Sequence, residues 1–271
     1  MSYRITINDD MDLEKIAHCG QCFRAGDIGG GLYRFVTGRN VLYLKAECEY
    51  YEASCTPEEW ANVWNSYFDL DRCYARVRAS IRDPWLLKAS EEGTGIRVLR
   101  QEPFEMLITF LISQRKSIPA IRRAVESLCT LLGDPVATAY ETLHLFPSPA
   151  AILNAGEAAL GGCGLGYRVP YVLDAARKVV SGELDPEALR AADTGDVITA
   201  LLGVHGVGIK VAGCVALFAY GRSESVPVDT WIAKLIAEKY NGNDPFRQYG
   251  ENAGLLQQYA FFCARGKKVF D

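Results

Sequence analysis

Residues 201–232 read LLGVHGVGIKVAGCVALFAYGRSESVPVDTWI, a pattern of helix, tight turn and helix. Ile198, Leu201 and Leu202 close one apolar face, Gly206-Val207-Gly208 supplies the turn, and Val211, Val215 and Phe218 recur at helical spacing beyond it. Glycines at Gly203, Gly206 and Gly208 let the backbone approach another chain closely. The amides that open the second helix have no intrahelical partner and carry the positive end of the helix dipole, so they can hold a phosphate without a Lys or Arg side chain. A plain helical hairpin packed in a core fits the same pattern equally well.

Two residues add chemistry to it. Lys210 falls in the first turn of the second helix, and Cys214 follows at i+4 on the same face. Partial desolvation and the dipole both disfavour an ammonium there, and a neutral amine is a nucleophile. Nineteen residues after Lys210, Val226-Pro227-Val228-Asp229 places a lone carboxylate where a helix begins. Capping accounts for such an Asp; so does a second task, since a carboxylate acting with an amine is the pair that helps a base depart and steadies a developing sugar cation.

Outward from this stretch the chain reads as two regions. From residue 1 to 95 the pattern is strand-like, with LYRFVTGRNVLYLKAECEYYEAS interrupted by a turn at Gly38, Arg39 and Asn40. Gly29, Gly30 and Gly31 lack the Gly-Lys-Ser/Thr of a phosphate cradle and read as a hairpin loop. From residue 96 to 271 the period is helical. Phe104, Leu107, Ile108, Leu111 and Ile112 predict a buried helix from Pro103 to about Ser113, and Ser117 with Pro119 predicts the start of the next. Further helices are expected at about 149–160, 170–181, 186–192, 195–202, 209–220, 229–240 and 251–264, the hairpin spanning about 195–220. The expected fold class is α+β, an N-terminal antiparallel β-sheet domain followed by a mostly helical domain.

With 271 residues, 49% hydrophobic and 23% charged, the composition excludes disorder and fibrous repeats. A net charge of −4 argues against coating nucleic acid by bulk positive charge. The N-terminus lacks the pattern of a signal peptide and no apolar run is long enough for a membrane, so a soluble, unexported protein is expected. Nine cysteines then read as free thiols. Cys19 and Cys22 in HCGQC are too poorly complemented by Cys48 and Cys55 for a zinc site and lack the βαβ context of a redox motif.

Five segments in order resemble the helix-hairpin-helix DNA glycosylases, and within them the 8-oxoguanine DNA glycosylases. GVHGVGIKVAGC followed by VPVD is similar to the family's catalytic motif, which implies Lys210 as nucleophile and Asp229 as catalytic carboxylate. Gly20-Gln21-Cys22-Phe23-Arg24 resembles the segment whose glycine carbonyl accepts a hydrogen bond from the oxidised base. Gly164-Leu165-Gly166-Tyr167-Arg168 resembles the one whose Tyr and Arg reach the strand opposite the lesion. Gln258-Tyr259-Ala260-Phe261-Phe262 is similar to the family's Gln and Phe four apart, implying Gln258 on the edge of the extruded base and Phe262, with Cys214, on its faces. The turn Gln114, Arg115, Lys116 stands where this superfamily presents its wedge, with Arg115 the inserted side chain.

The resemblance implies base excision with strand cleavage, acting as a monomer on double-stranded DNA containing 8-oxoguanine, in the cytoplasm if bacterial and the nucleus if eukaryotic. No cofactor is expected, and no metal: only Cys263 follows Cys214, so the four-cysteine iron-sulfur run of some relatives is missing. Trp231 replaces a histidine two after the catalytic Asp, and Gly213 an acidic residue. Ala120 stands where members strict for cytosine carry an arginine, so weaker opposite-base selection is expected. A monofunctional glycosylase for alkylated bases would need no Lys210, and a non-catalytic helix-hairpin-helix DNA-binding protein would need neither Lys210 nor Asp229.

Overall fold

The computed structural model describes residues 3–266. Its five-stranded sheet is built from β1 (Tyr3–Ile5), β2 (Gly26–Asp27), β3 (Leu32–Thr37), β4 (Asn40–Ala46) and β5 (Tyr51–Ala53), in the order β1-β5-β4-β3-β2, with helix α1 (Leu13–His18) between the first two strands. Pairing is antiparallel, Tyr3 opposite Ala53, Leu44 opposite Ala53 and Gly26 opposite Arg34. The glycine triplet turns β2 into β3, closed by a hydrogen bond from the Ile28 amide to the Leu32 carbonyl at 2.9 Å.

The strand-like pattern does not run to residue 95. Beyond Ala53 the chain is helical: α2 (Pro57–Glu59) passes through a π turn at Trp60–Trp64 into α3 (Asn65–Tyr67), followed by α4 (Tyr74–Ala79) and α5 (Pro84–Glu92). Two start signals outweigh the β propensity of the aromatics. Thr56 and Asp83 each precede a proline, and their side chains accept from the amides of Glu59 at 3.1 Å and Leu86 at 2.8 Å. Trp60, Trp64, Tyr67 and Phe68 then recur at helical period and are all buried.

The helical remainder comprises α6 (Pro103–Ser113), α7 (Ile118–Leu132), α8 (Pro149–Gly161), α9 (Val169–Val180), α10 (Thr194–Leu202), α11 (Ile209–Phe218), α12 (Thr230–Tyr240) and α13 (Ala253–Gly266). Two details differ from expectation. A small hairpin, β6 (Pro135–Ala137) with β7 (Thr142–His144), interrupts the helices, because Thr138 Oγ1 accepts from the amides of Tyr140 and Glu141 and stabilises a turn. The helix expected at 186–192 is a single 3-10 turn, Ala188–Arg190. Ser117 does occupy the N-cap position of α7, without a side-chain capping bond.

The described residues divide into two compact units, one from residues 3–35, 41–100 and 221–266, the other from residues 36–40 and 101–220. In the first, Phe35 and Phe68 meet edge-on at 5.0 Å and Trp64 and Tyr67 at 5.2 Å, over buried Leu42 and Leu44. In the second, residues 103–112 of α6 are buried, and Phe110 stacks on Phe218 of α11 at 5.6 Å. No helix among the described residues is long and apolar enough to cross a membrane.

Candidate active site

In the helical unit, α10 and α11 form the hairpin expected from the sequence, closed by bonds from the Val204 amide to the Leu201 carbonyl and from the Val207 amide to the Val204 carbonyl, at 3.1 and 3.0 Å. Gly206 is required twice over: its φ is +84°, and a Cβ there would run into the Tyr171 ring. Gly208 is the N-cap of α11 and has no side chain to cap the first turn, which leaves those amides for a ligand. Gly203 ends α10, and Gly208 is exposed. The Asp174 carboxylate accepts from the His205 amide at 2.9 Å. Burial raises its pKa, but that amide and the Arg177 guanidinium outweigh burial and hold the carboxyl below its usual range.

Lys210 is half-buried in the first turn of α11, with buried Cys214 one turn on. Its Nζ lies 5.4 Å from the centroid of the Phe110 ring. Phe110 is thus a neighbour of the amine that spacing did not reveal, because it reads only as one more core position of α6. Ile209, beside Lys210, is 70% exposed, an apolar side chain with no place in a core.

The turn between α6 and α7 is held in place from several sides. Gln114 donates to the Gly206 carbonyl at 3.1 Å, tying this turn to the hairpin. Lys116 Nζ donates to the Gly164 carbonyl at 2.8 Å. Between them Arg115 is exposed at φ +51°, a left-handed conformation that costs a non-glycine residue about 1–3 kcal/mol. Tyr167 is 52% exposed. Arg168 differs from expectation: it is buried, its guanidinium donates to the carbonyls of Gln114 and Leu165, and it packs 4.2 Å from the Tyr167 ring centroid. In this structure it braces the turn that carries Arg115 instead of reaching outward.

The remaining candidates lie in the sheet unit. Asp229 caps α12, its carboxylate accepting from the Ile232 amide at 2.8 Å, and it keeps partial exposure. Gly20 sits in a bend at φ +89°, which lets the chain turn there, and its carbonyl accepts no hydrogen bond among the described residues. Gln258, expected on the edge of the base, is engaged within the protein. Its amide Nε2 is already spent on the Cys19 carbonyl at 2.9 Å, in a buried contact. Gln257 next to it is also buried, yet its Oε1 has no hydrogen-bond partner among the described residues. QQYAFF contains two Gln and Phe pairs four apart, so spacing alone selects Gln258 with Phe262 no better than Gln257 with Phe261. Both phenylalanines are half-buried, and the Arg265 guanidinium lies 5.6 Å from the Phe261 centroid.

Cys19 and Cys22 are buried free thiols, and burial pushes the Cys19 thiol up to about 11. No three His, Cys, Asp or Glu side chains gather to hold a metal among the described residues.

Comparison with known proteins agrees across the chain. Residues 4–107 match the family model of the 8-oxoguanine DNA glycosylase N-terminal domain, and residues 108–252 match that of HhH-GPD superfamily base excision DNA repair proteins. The chain is 29% identical over 238 residues to the probable N-glycosylase/DNA lyase of Methanothermobacter thermautotrophicus, covering 77% of this chain and 75% of that one. The structure of MBOgg1 in complex with a low-affinity DNA ligand superposes with a TM-score of 0.93 at 31% identity, covering 98% of this chain and 96% of that one. The Clostridium acetobutylicum 8-oxoguanine glycosylase/lyase, in complex with double-stranded DNA containing cytosine opposite 8-oxoguanine, superposes with a TM-score of 0.91 at 30% identity, covering 99% of both chains.

Proposed function

The chain belongs to the HhH-GPD superfamily of base excision DNA repair proteins, and from that premise we propose that it is a glycosylase and lyase that removes 8-oxoguanine from double-stranded DNA. The observation that carries this reading is Lys210: a half-buried amine over an aromatic ring, in the first turn of the hairpin helix, in a chain that parallels 8-oxoguanine glycosylase/lyases over nearly its whole length.

The hairpin's glycines and open amides hold the backbone phosphate, and Arg115 fills the space left by the extruded nucleotide. The base is read by Gly20, whose carbonyl accepts from the N7 proton that 8-oxoguanine has and guanine lacks. Gln257 suits the other edge, since its open carbonyl oxygen matches the N–H donors on guanine's Watson–Crick face; a buried acceptor left empty costs about 1–3 kcal/mol. Phe261, on the same helix face as Gln257, stacks on the ring. Gln257 and Phe261 thereby take the roles assigned to Gln258 and Phe262.

Chemistry follows from the amine. The Lys210 Nζ lone pair forms a bond to C1′ while the bond from C1′ to the base breaks, and the departing base takes up the proton that the alkylated nitrogen sheds. Asp229 steadies positive charge that develops on the sugar. The sugar ring opens to a Schiff base, and loss of a C2′ proton then expels the 3′ phosphate, cutting the strand. With Arg168 braced inward and Ala120 lacking a donor, selection for cytosine opposite the lesion is weak. The protein works as a monomer in the compartment that holds the DNA.

An end-labelled duplex with one 8-oxoguanine tests this. Nicking without added base and borohydride trapping of a protein–DNA adduct are expected, and Lys210→Gln should abolish both while retaining lesion binding. Excision without nicking would point to a monofunctional enzyme, and binding without excision to a non-catalytic hairpin protein.

A further inference from the structure

We propose that Gln258 and Gln21 are positioning residues that aim the Gly20 carbonyl, and so set how well the protein separates an oxidised purine from guanine. The inference rests on Gly20 reading N7, as proposed above. The peptide before Gly20 is held at its carbonyl, where Gln258 Nε2 donates to the Cys19 oxygen at 2.9 Å. The peptide after it is held through the Gln21 side chain, which is fully buried. Gln21 Oε1 accepts from the Leu99 amide at 2.8 Å, and its Nε2 donates to the Arg97 carbonyl at 2.7 Å and meets Cys19 Sγ at 3.0 Å. That amide therefore pairs with the 97–99 segment much as a neighbouring strand would.

Cys19 is fixed in turn. Its amide donates to the Lys15 carbonyl at 2.8 Å, and its thiol to the Ile16 carbonyl at 3.3 Å. Between two anchored peptides Gly20 adopts φ +89°, a region where a glycine left to itself has wide freedom. Its carbonyl direction is thus set by side chains from α13 and from its own loop. A hydrogen bond weakens steeply once its angle falls below about 120°, so a carbonyl released from these anchors would lose its hold on an N7 proton. Guanine, which offers a lone pair at N7, would in turn be rejected less strongly because a mobile carbonyl can turn away from it.

The test compares the unaltered protein with Gln258→Met, which keeps the volume and removes the donor, and with Gln21→Glu, which keeps the acceptor for Leu99 and removes the donor to Arg97. Single-turnover excision of 8-oxoguanine and of guanine is measured, together with cleavage at a preformed abasic site, which needs no base in the pocket, and the thermal midpoint. Failure of the unaltered protein to excise 8-oxoguanine would sink the functional reading itself. Given that activity, the expected result for Gln258→Met is a fall of roughly ten- to a hundred-fold in the ratio of 8-oxoguanine to guanine excision, with abasic-site cleavage retained. An unchanged ratio would overturn the proposal, as would parallel loss of excision, abasic-site cleavage and thermal midpoint, which marks a merely structural role. Should Gln21→Glu fail to fold, Gln258→Met alone carries the decision.

Discussion

Asp229 caps a helix in the structure and carries a second, catalytic task in the proposed function. Its carboxylate caps α12 through the Ile232 amide, and Asn caps a helix about as well as Asp. Asp229→Asn should therefore leave the thermal midpoint nearly unchanged, within what about 0.5 kcal/mol shifts, while single-turnover excision falls by orders of magnitude with DNA affinity retained. A variant that melts early and turns over normally would reduce Asp229 to its cap. Arg115 separates stability from function in the opposite sense. Its left-handed backbone is strained, so Arg115→Gly should hold or raise the melting temperature while excision from a fully paired duplex drops about tenfold or more, the unstacked state having lost its filler. Unimpaired excision by Arg115→Gly would remove the wedge from the mechanism.

At the scale of elements, a distant carboxylate does the work of a cap. α4 follows Cys73, which makes no side-chain capping bond, and Asp9 instead accepts from the amides of Tyr74 at 2.6 Å and Ala75 at 3.0 Å. Arg97 donates to the same carboxylate at 3.2 Å. Burial pushes the Asp9 carboxyl up, but these donors outweigh it and hold the group below its ordinary value. A carboxyl with a depressed folded-state pKa contributes stability that is present above its unfolded pKa, about 4, and is lost as pH falls through the folded value. Urea midpoints should accordingly fall as pH drops from about 5 to below 3, and Asp9→Asn should start lower at neutral pH and fall less over that interval. Equal pH slopes for the two proteins would show that Asp9 contributes nothing to acid stability.

For the whole molecule, the charge of −4 sets the terms of DNA binding. On the proposed reading, phosphate contacts come from backbone amides at the start of α11 and from few basic side chains, so few counterions should be released. The slope of log affinity against log salt should be shallow, well short of that for a protein neutralising about ten phosphates. A slope that steep would contradict a clamp made of amides.

The hairpin, most of the helices between residues 96 and 264 and the candidates Lys210 and Asp229 are legible in the sequence because each rests on a local signal. Glycine turns, capping residues and the 3.6-residue period act over a few neighbours, and the tertiary structure leaves them in place. The helices between Pro57 and Glu92 were hidden, since Trp and Tyr favour strands on average and only their period and the capped prolines say otherwise. Which of Gln257 and Gln258 keeps a buried amide oxygen without a partner could not be found in any spacing. That choice belongs to a bond between α13 and a loop almost the full chain length away, and the burial that makes an open acceptor costly exists only once those segments meet. Arg168 follows the same rule: the sequence places a cation beside an exposed Tyr, and only the folded unit decides that its charge is spent on the Gln114 and Leu165 carbonyls. Side-chain partners drawn from distant segments depend on packing, and no local pattern encodes them.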